Sequence, residues 1–200
     1  MINKTSGLFL IKNNRFLDHF SFIFYILLKG LDMEIMETER LIIRVPTYDD
    51  FDELYGVHAN PETNIFNPGW EKPSKEEFMN TLNTFIDHHK KHGFGYYSLV
   101  DKADNRVFGL CGLRFTTLRD EEYLNLYYRI DPSKMRKGFV KEAANKIIDT
   151  ITKSLNNQYK VLALTLDKNL PSRKTAESLG LKYNEDFDNL GGEGNVYYFN

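Results

Sequence analysis

After Met36 the apolar positions recur with two periods, and each change of period marks a new element. Arg40-Leu41-Ile42-Ile43-Arg44-Val45 reads as a strand closed by Pro46, which has no N–H to add to a ladder. Thr47, with Asp49, Asp50 and Glu53 behind it, supplies helix-start chemistry for a segment reaching His58. Asn60-Pro61 and Asn67-Pro68-Gly69-Trp70 mark a long loop. Ser74, followed by Glu76 and Glu77, opens a second helix with Phe78, Leu82 and Phe85 on one face, ending near Gly93. The period then falls to two. Residues 95–100 and 107–116 read as strands joined by an Asp101–Asn105 hairpin turn, and 122–130 as the third antiparallel strand.

That third strand must end at Asp131-Pro132, and a basic, glycine-containing loop follows, Lys134-Met135-Arg136-Lys137-Gly138-Phe139-Val140. Val140, Ala143, Ala144, Ile147, Ile148 and Ile151 then recur at helical spacing. Residues 160–166, KVLALTL, are continuously apolar, as a doubly covered strand requires. Asn169 to Leu179 predicts a last helix ended by Gly180, and residues 182–187 and 195–199 a hairpin around Gly191-Gly192. The connection from Ile130 to Lys160 is long enough for a right-handed parallel crossover. The predicted class is therefore a mixed α/β (α+β) fold, with helices over a mostly antiparallel sheet. The loop after Ile130 falls where the sheet changes its pairing order, a usual place for a ligand crevice.

Composition narrows the function. Of 200 residues, 42% are hydrophobic, enough for one well-packed domain. Twenty-six Lys and Arg against 28 Asp and Glu leave a net charge of −2, which gives no field for steering to nucleic acid. The single cysteine excludes an internal disulfide framework and suits a reducing, cytoplasmic setting. Residues 1–35 differ from the rest. Their apolar run 20–28, FSFIFYILL, is shorter than the ~20 residues that cross a bilayer, and no small-residue cleavage site follows it. Two readings of this extension stand beside a membrane tether: a helix packed on the domain, or sequence upstream of the natural start. Met33 and Met36 favour the second, so the domain is expected to span 36–200, without a membrane partner.

The loop carries the candidate chemistry. A strand, a basic glycine turn and a helix N-terminus together form an anion site, because the first helical N–H groups lack internal partners and the peptide dipoles favour negative charge there. Gly138 lets backbone approach a ligand closely. The pattern is neither GxxxxGK[ST] nor GxGxxG, so the physics predicts a phosphate or pyrophosphate binder without naming one.

Four patterns in order resemble one family: METERLIIR (36–44), HGFGYYSLVDK (92–102), LNLYYRIDPSKMRKGFVKEAA (124–144) and NLPSRKTAESLGLKY (169–183). They resemble the GNAT family of acetyl-coenzyme A-dependent N-acetyltransferases, and within it the branch acting on ribosomal-protein N-termini. The resemblance implies a splayed parallel strand pair in the sheet. It implies that backbone N–H groups of Met135, Arg136, Lys137, Gly138, Phe139 and Val140 hold the pyrophosphate of acetyl-CoA. The pantetheine arm then lies beside the strand ending at Ile130, with Tyr128 at the thioester and Asn169 and Ser172 facing the arm. Arg173 or Lys174 is placed to reach the 3′-phosphate. Two family features are missing: a glutamate usually found before the loop is Asn125, and a tyrosine acid on the last helix falls at Ala176. Asn125 is left to hold a water or the amine, and Ser172 to donate to the leaving thiolate.

The expected activity is transfer of acetyl to a primary amine, either a peptide N-terminus or a small molecule, by a monomer or homodimer. Without a side-chain base, an α-amine near pKa ~8 suits the site better than a lysine amine near ~10.4. A non-catalytic acyl-CoA-binding module is the alternative. His88, His89 and His92 lack an acidic or cysteine third ligand, so no metal is expected, and Cys111 reads as a buried thiol. Tyr55, Phe66 and Trp70 read equally as core or as walls of an acceptor pocket.

Overall fold

The computed structural model describes residues 35–200; the extension, including the apolar run 20–28, lies outside the described residues. Eight strands form one sheet: β1 (Ile35–Glu37), β2 (Leu41–Arg44), β3 (Tyr96–Asp101), β4 (Arg106–Leu118), β5 (Glu121–Ile130), β6 (Val161–Leu166), β7 (Lys182–Tyr183) and β8 (Asn195–Phe199). Their order is β1-β2-β3-β4-β5-β6-β8-β7, and every neighbouring pair is antiparallel except β5 and β6. The parallel pair is in ladder register only at Leu124 opposite Val161 and Asn125 opposite Leu162. Beyond Asn125 the two strands part, as the splay required.

Among the described residues four helices cover the sheet: α1 (Phe51–His58), α2 (Lys75–His92), α3 (Phe139–Ser154) and α4 (Leu170–Ser178). Leu54 of α1 and Phe78, Leu82, Phe85 and Ile86 of α2 pack with Leu110 on one face. On the other face Phe139, Ala143, Ala144, Ile147 and Ile151 of α3 join Ala176 of α4 in the larger core. A fully buried isoleucine such as Ile147 contributes about 1.5–3 kcal/mol, so the apolar stripe of α3 outweighs its weak intrinsic propensity. Ile148 and Val140, predicted for the same stripe, sit at its half-buried edge.

The predicted caps form. Ser74 accepts from the Glu77 N–H, and the Glu77 carboxylate accepts from the Ser74 N–H at 2.7 Å. Before α1 a 3-10 turn, Tyr48–Asp50, brings the Asp50 carboxylate back beneath the sheet edge. There it accepts from both guanidinium ends of Arg44, at 2.7 and 2.5 Å, from the Thr47 N–H at 2.9 Å and from the Ser98 hydroxyl at 2.8 Å. One prediction needs shortening. The segment 182–187 pairs only through Lys182 and Tyr183, because Asn184 caps a 3-10 turn at Glu185–Phe187.

Side chains alternate between the two faces of each strand. From the register, Tyr96, Leu110, Gly112, Arg114, Asn125, Tyr127 and Arg129 share the α1/α2 face, while Cys111, Leu113, Leu126 and Tyr128 share the α3/α4 face.

Candidate active site

The loop between β5 and α3 is held from three sides. Pro132–Lys134 forms a 3-10 turn capped by Asp131, and the Lys134 ammonium is tied to Asp101 at 2.7 Å and Asp104 at 3.0 Å. Arg40 holds the loop's far end. It donates to the Lys137 carbonyl at 2.9 Å and to the Glu142 carboxylate at 2.6 Å, and its guanidinium lies 4.3 Å above the Phe139 ring centre. Glu142, in the first turn of α3, also accepts from the Thr38 hydroxyl and the Arg40 N–H. Burial pushes its carboxyl up, but those donors outweigh it and hold it below the usual range.

So anchored, the loop takes a conformation that frees its donors. Arg136 and Gly138 both have left-handed backbone, at φ +60° and +80°. Among the described residues the N–H groups of Arg136, Lys137 and Gly138 find no carbonyl, and those of Phe139 and Val140 open α3. Five successive donors at a helix N-terminus fit a pyrophosphate. Within the protein alone, Gly138 is required by its backbone conformation. The nearest protein atom to an added Cβ is Arg40 Nη2 at 3.5 Å, an ordinary contact, so the positive φ and not crowding selects glycine. Met135, whose backbone is extended, stands at the loop's exposed shoulder.

The Arg40 contacts were missed in the sequence, although Arg40 lies in the first of the four patterns. Nothing local shows that it meets Glu142, 102 residues away. Arg40→Ala is expected to weaken acetyl-CoA binding about tenfold by loosening the loop, with Arg40→Lys recovering little because it lacks the fork. Titration of acetyl-CoA against both variants checks it.

Below the loop the splay exposes an edge of β5. The Leu124 N–H bonds across to the Lys160 carbonyl, so by alternation the backbone groups of Leu126, Tyr128 and Ile130 face the gap. These are unpaired strand donors and acceptors of the kind that an extended amide-bearing arm completes. On the α3/α4 side the Tyr128 hydroxyl meets the Ser172 hydroxyl at 2.8 Å, bridging β5 to α4 across the opening. Burial pushes the Tyr128 phenol up, so it stays protonated. Asn169 sets this geometry as the cap of α4, its side chain accepting from the Ser172 N–H at 3.2 Å. Arg173 is committed elsewhere: its guanidinium pairs with Asp167, and its Nε donates to the Tyr198 hydroxyl at 2.8 Å. Lys174 is the exposed cation of that turn.

On the opposite face the residues around Asn125 make a polar floor. Asn125 faces the Tyr96 hydroxyl, and its Oδ1 is shut off from solvent without a hydrogen-bond partner among the described residues. Tyr96 and Tyr127 stack at 4.8 Å, and at Gly112, paired with both, a Cβ would collide with the Gly95 carbonyl oxygen, so backbone approach selects glycine there. Tyr127 reaches His58 of α1, with oxygen and Nε2 3.2 Å apart. His58 Nδ1 is 2.8 Å from the Leu54 carbonyl, which only accepts, so the ring proton is on Nδ1 and Nε2 accepts from Tyr127. Burial, helped by the charge of Arg129, pushes His58 down to about 4, so it is neutral at physiological pH. Its position at the end of α1 gave no sign of this pairing, which depends on α1 lying over β5.

The other candidates have structural partners. His88 and His89 bond the Phe94 and Tyr96 carbonyls, fixing the turn after α2. No group of three His, Cys, Asp or Glu side chains among the described residues could hold a metal ion. Cys111 is fully buried, and burial pushes its thiol up to about 12. Tyr55 stacks on Phe51 and donates to the Pro73 carbonyl; Phe66 and Trp70 are half-buried in the α1–α2 connection.

A mixed sheet with a splayed parallel pair, a donor-lined loop at the opening and a polar floor beside it defines an acyl-CoA-dependent transferase fold. Residues 40–182 match the acetyltransferase (GNAT) domain family, and the chain belongs to that family. An uncharacterised N-acetyltransferase, p20, of Bacillus licheniformis is 26% identical over 153 residues, covering 75% of this chain and 83% of its own. The structure of a ribosomal-protein-S5-alanine acetyltransferase from Vibrio fischeri superposes with TM-score 0.64 at 19% identity, covering 83% of this chain and 95% of that one. The Microcin C7 self-immunity acetyltransferase MccE, solved with acetyl-CoA and AMP, gives TM-score 0.63 at 13% identity over 82% and 93%. The chain is thus an acetyl-CoA-dependent acetyltransferase by family. Among the described residues no helix is long and apolar enough to cross a membrane.

Proposed function

We propose that this protein transfers acetyl from acetyl-CoA directly to a primary amine in the cytoplasm, using residues 36–200 as its catalytic domain. The run of N–H groups from Arg136 to Val140 that find no partner among the described residues, opening beside the free edge of β5, carries this reading. In it, those donors and the exposed Lys174 hold the phosphates, and Tyr128 and Ile130 offer backbone groups to the arm. Acetyl-CoA supplies the activated thioester. The Tyr128 N–H faces the gap, where a developing oxyanion would be stabilised. Ser172, hydrogen-bonded to Tyr128, is the proton donor to the departing sulfur, and the amine enters from the α1/α2 face.

Asn125 holds the amine or a water that serves it. Its buried Oδ1 lacks a donor, and an amide oxygen holds N–H without removing the proton. Proton removal therefore falls to water, which suits an α-amine near pKa ~8. Asn125 and Ala176 also favour a second reading, a non-catalytic acyl-CoA-binding module. Thiol release over a panel of amines and N-terminal peptides separates the two, since binding without turnover on every acceptor leaves only the second. Ser172→Ala is expected to lower kcat about 10- to 100-fold while leaving acetyl-CoA affinity unchanged. An unchanged kcat removes Ser172 from the chemistry.

A further inference from the structure

The α1/α2 face of the sheet carries two guanidinium groups that the described part of the chain leaves without a carboxylate. Arg114 on β4 stands opposite Asn125, and Arg129 lies four residues further along β5, so the two flank Tyr127. Both are half-buried. Among the described residues neither lies within salt-bridge distance of an acid, whereas Arg40, Arg44, Lys134 and Arg173 all do. Their positions are nonetheless fixed. The Arg114 guanidinium lies 5.4 Å from the centre of the Tyr96 ring. Arg129 donates to Asn64 Oδ1, and buried Asn64 is itself held by the His58 and Asn60 carbonyls at 2.9 Å.

The groups between and around them add no negative charge. Tyr96 and Tyr127 keep their protons, and Asn125 and His58 are neutral. Two oriented, partly desolvated cations without a counter-charge are costly unless an anion completes them. Guanidinium forks match carboxylates in particular.

Resting on the acetyl-transfer reading, we propose that the acceptor is an amine flanked by anionic groups, and that Arg114 and Arg129 select it. Four residues of strand separate the two positions by about 13 Å, which an extended acidic peptide N-terminus spans and a single small amine does not. The α-amine then lies over Asn125 and Tyr127, and side-chain carboxylates of the residues that follow it reach the two guanidinium groups.

The test measures binding and turnover separately, on the full chain with saturating CoA. Peptides labelled at the C-terminus, identical except for Glu, Ala or Lys at positions 2 and 4, are titrated by fluorescence anisotropy. The Glu peptide should bind at least about tenfold more tightly than the Lys peptide at low salt, the worth of one charge-assisted hydrogen bond. Arg114→Gln should remove about tenfold of the Glu-peptide affinity and leave the Ala peptide unchanged. Arg114 makes no hydrogen bond in the described structure, so its fold is preserved; Arg129→Gln, checked by its melting curve, should act in the same direction. Free glutamate and an aminoalkyl phosphate compete in a second arm. If they bind as well as the Glu peptide, the extended-peptide acceptor is overturned. Equal binding of the Glu and Lys peptides, or a preference untouched in both variants, overturns the proposal. Thiol release run in parallel keeps the two claims apart: a Glu preference without turnover overturns only the acetyl-transfer reading.

Discussion

Gly138→Asp binds acetyl-CoA at least ~100-fold more weakly than the parent, because a carboxylate placed against a pyrophosphate costs several kcal/mol and every 1.4 kcal/mol is tenfold. The geometry predicts this loss without loss of the fold. Gly138 is exposed, an added Cβ meets only the Arg40 guanidinium at 3.5 Å, and aspartate tolerates left-handed backbone better than most residues. The new carboxylate would in fact face Arg40, which stabilises the empty loop while blocking its use. Gly138→Ala isolates the backbone contribution. It adds strain of about 1–2 kcal/mol at φ +80° and no charge, so its affinity should fall by tenfold or so. Calorimetric titration of the three proteins decides the matter. An aspartate variant that binds like the parent places the anion site elsewhere in the molecule.

Asp50→Ala is expected to cost about 3–5 kcal/mol of stability, the usual penalty for removing one partner of a buried ion pair. Asp50 is 2% exposed and accepts four hydrogen bonds, so its loss strands the Arg44 guanidinium, the Ser98 hydroxyl and the Thr47 N–H together. It also loosens the start of α1, which carries His58 to Tyr127 in the polar floor. The same site fixes a pH dependence. Burial pushes the Asp50 carboxyl up, but the hydrogen bond from Arg44, with those from Thr47 and Ser98, brings it below its ordinary value. A lowered folded-state pKa stabilises above the unfolded carboxylate range, near ~3.9, and that stability is lost as pH falls through the folded value. Melting curves from pH 7 down to 3 should show acid destabilisation in the parent and a shallower slope in Asp50→Asn. Equal slopes would assign the acid sensitivity to other carboxylates, with Glu142 the next candidate.

Local patterns determined the elements of this protein, and the reasons were local too. Ser74 with Glu77 satisfies orphan N–H groups within four residues, Pro132 ends a ladder wherever it stands, and the three- and four-residue spacing of Ala143, Ala144, Ile147 and Ile151 needs only one apolar face to rest on. The loop after β5 was legible for the same reason, since strand, glycine and helix start are contiguous. Tertiary structure alone decided which side chains complete the site. Arg40 and Glu142, Tyr128 and Ser172, and His58 and Tyr127 are 102, 44 and 69 residues apart, and their pairing depends on which strands adjoin and which face each helix covers. Arg173 shows the converse. By sequence it is an exposed cation; in the fold Asp167 and Tyr198, brought to it by the turn after β6 and by β8, engage its Nη1 and Nε. The spacing of residues sets what each segment can become. The satisfaction of charge and hydrogen bonds across the sheet sets what each polar residue is left free to do.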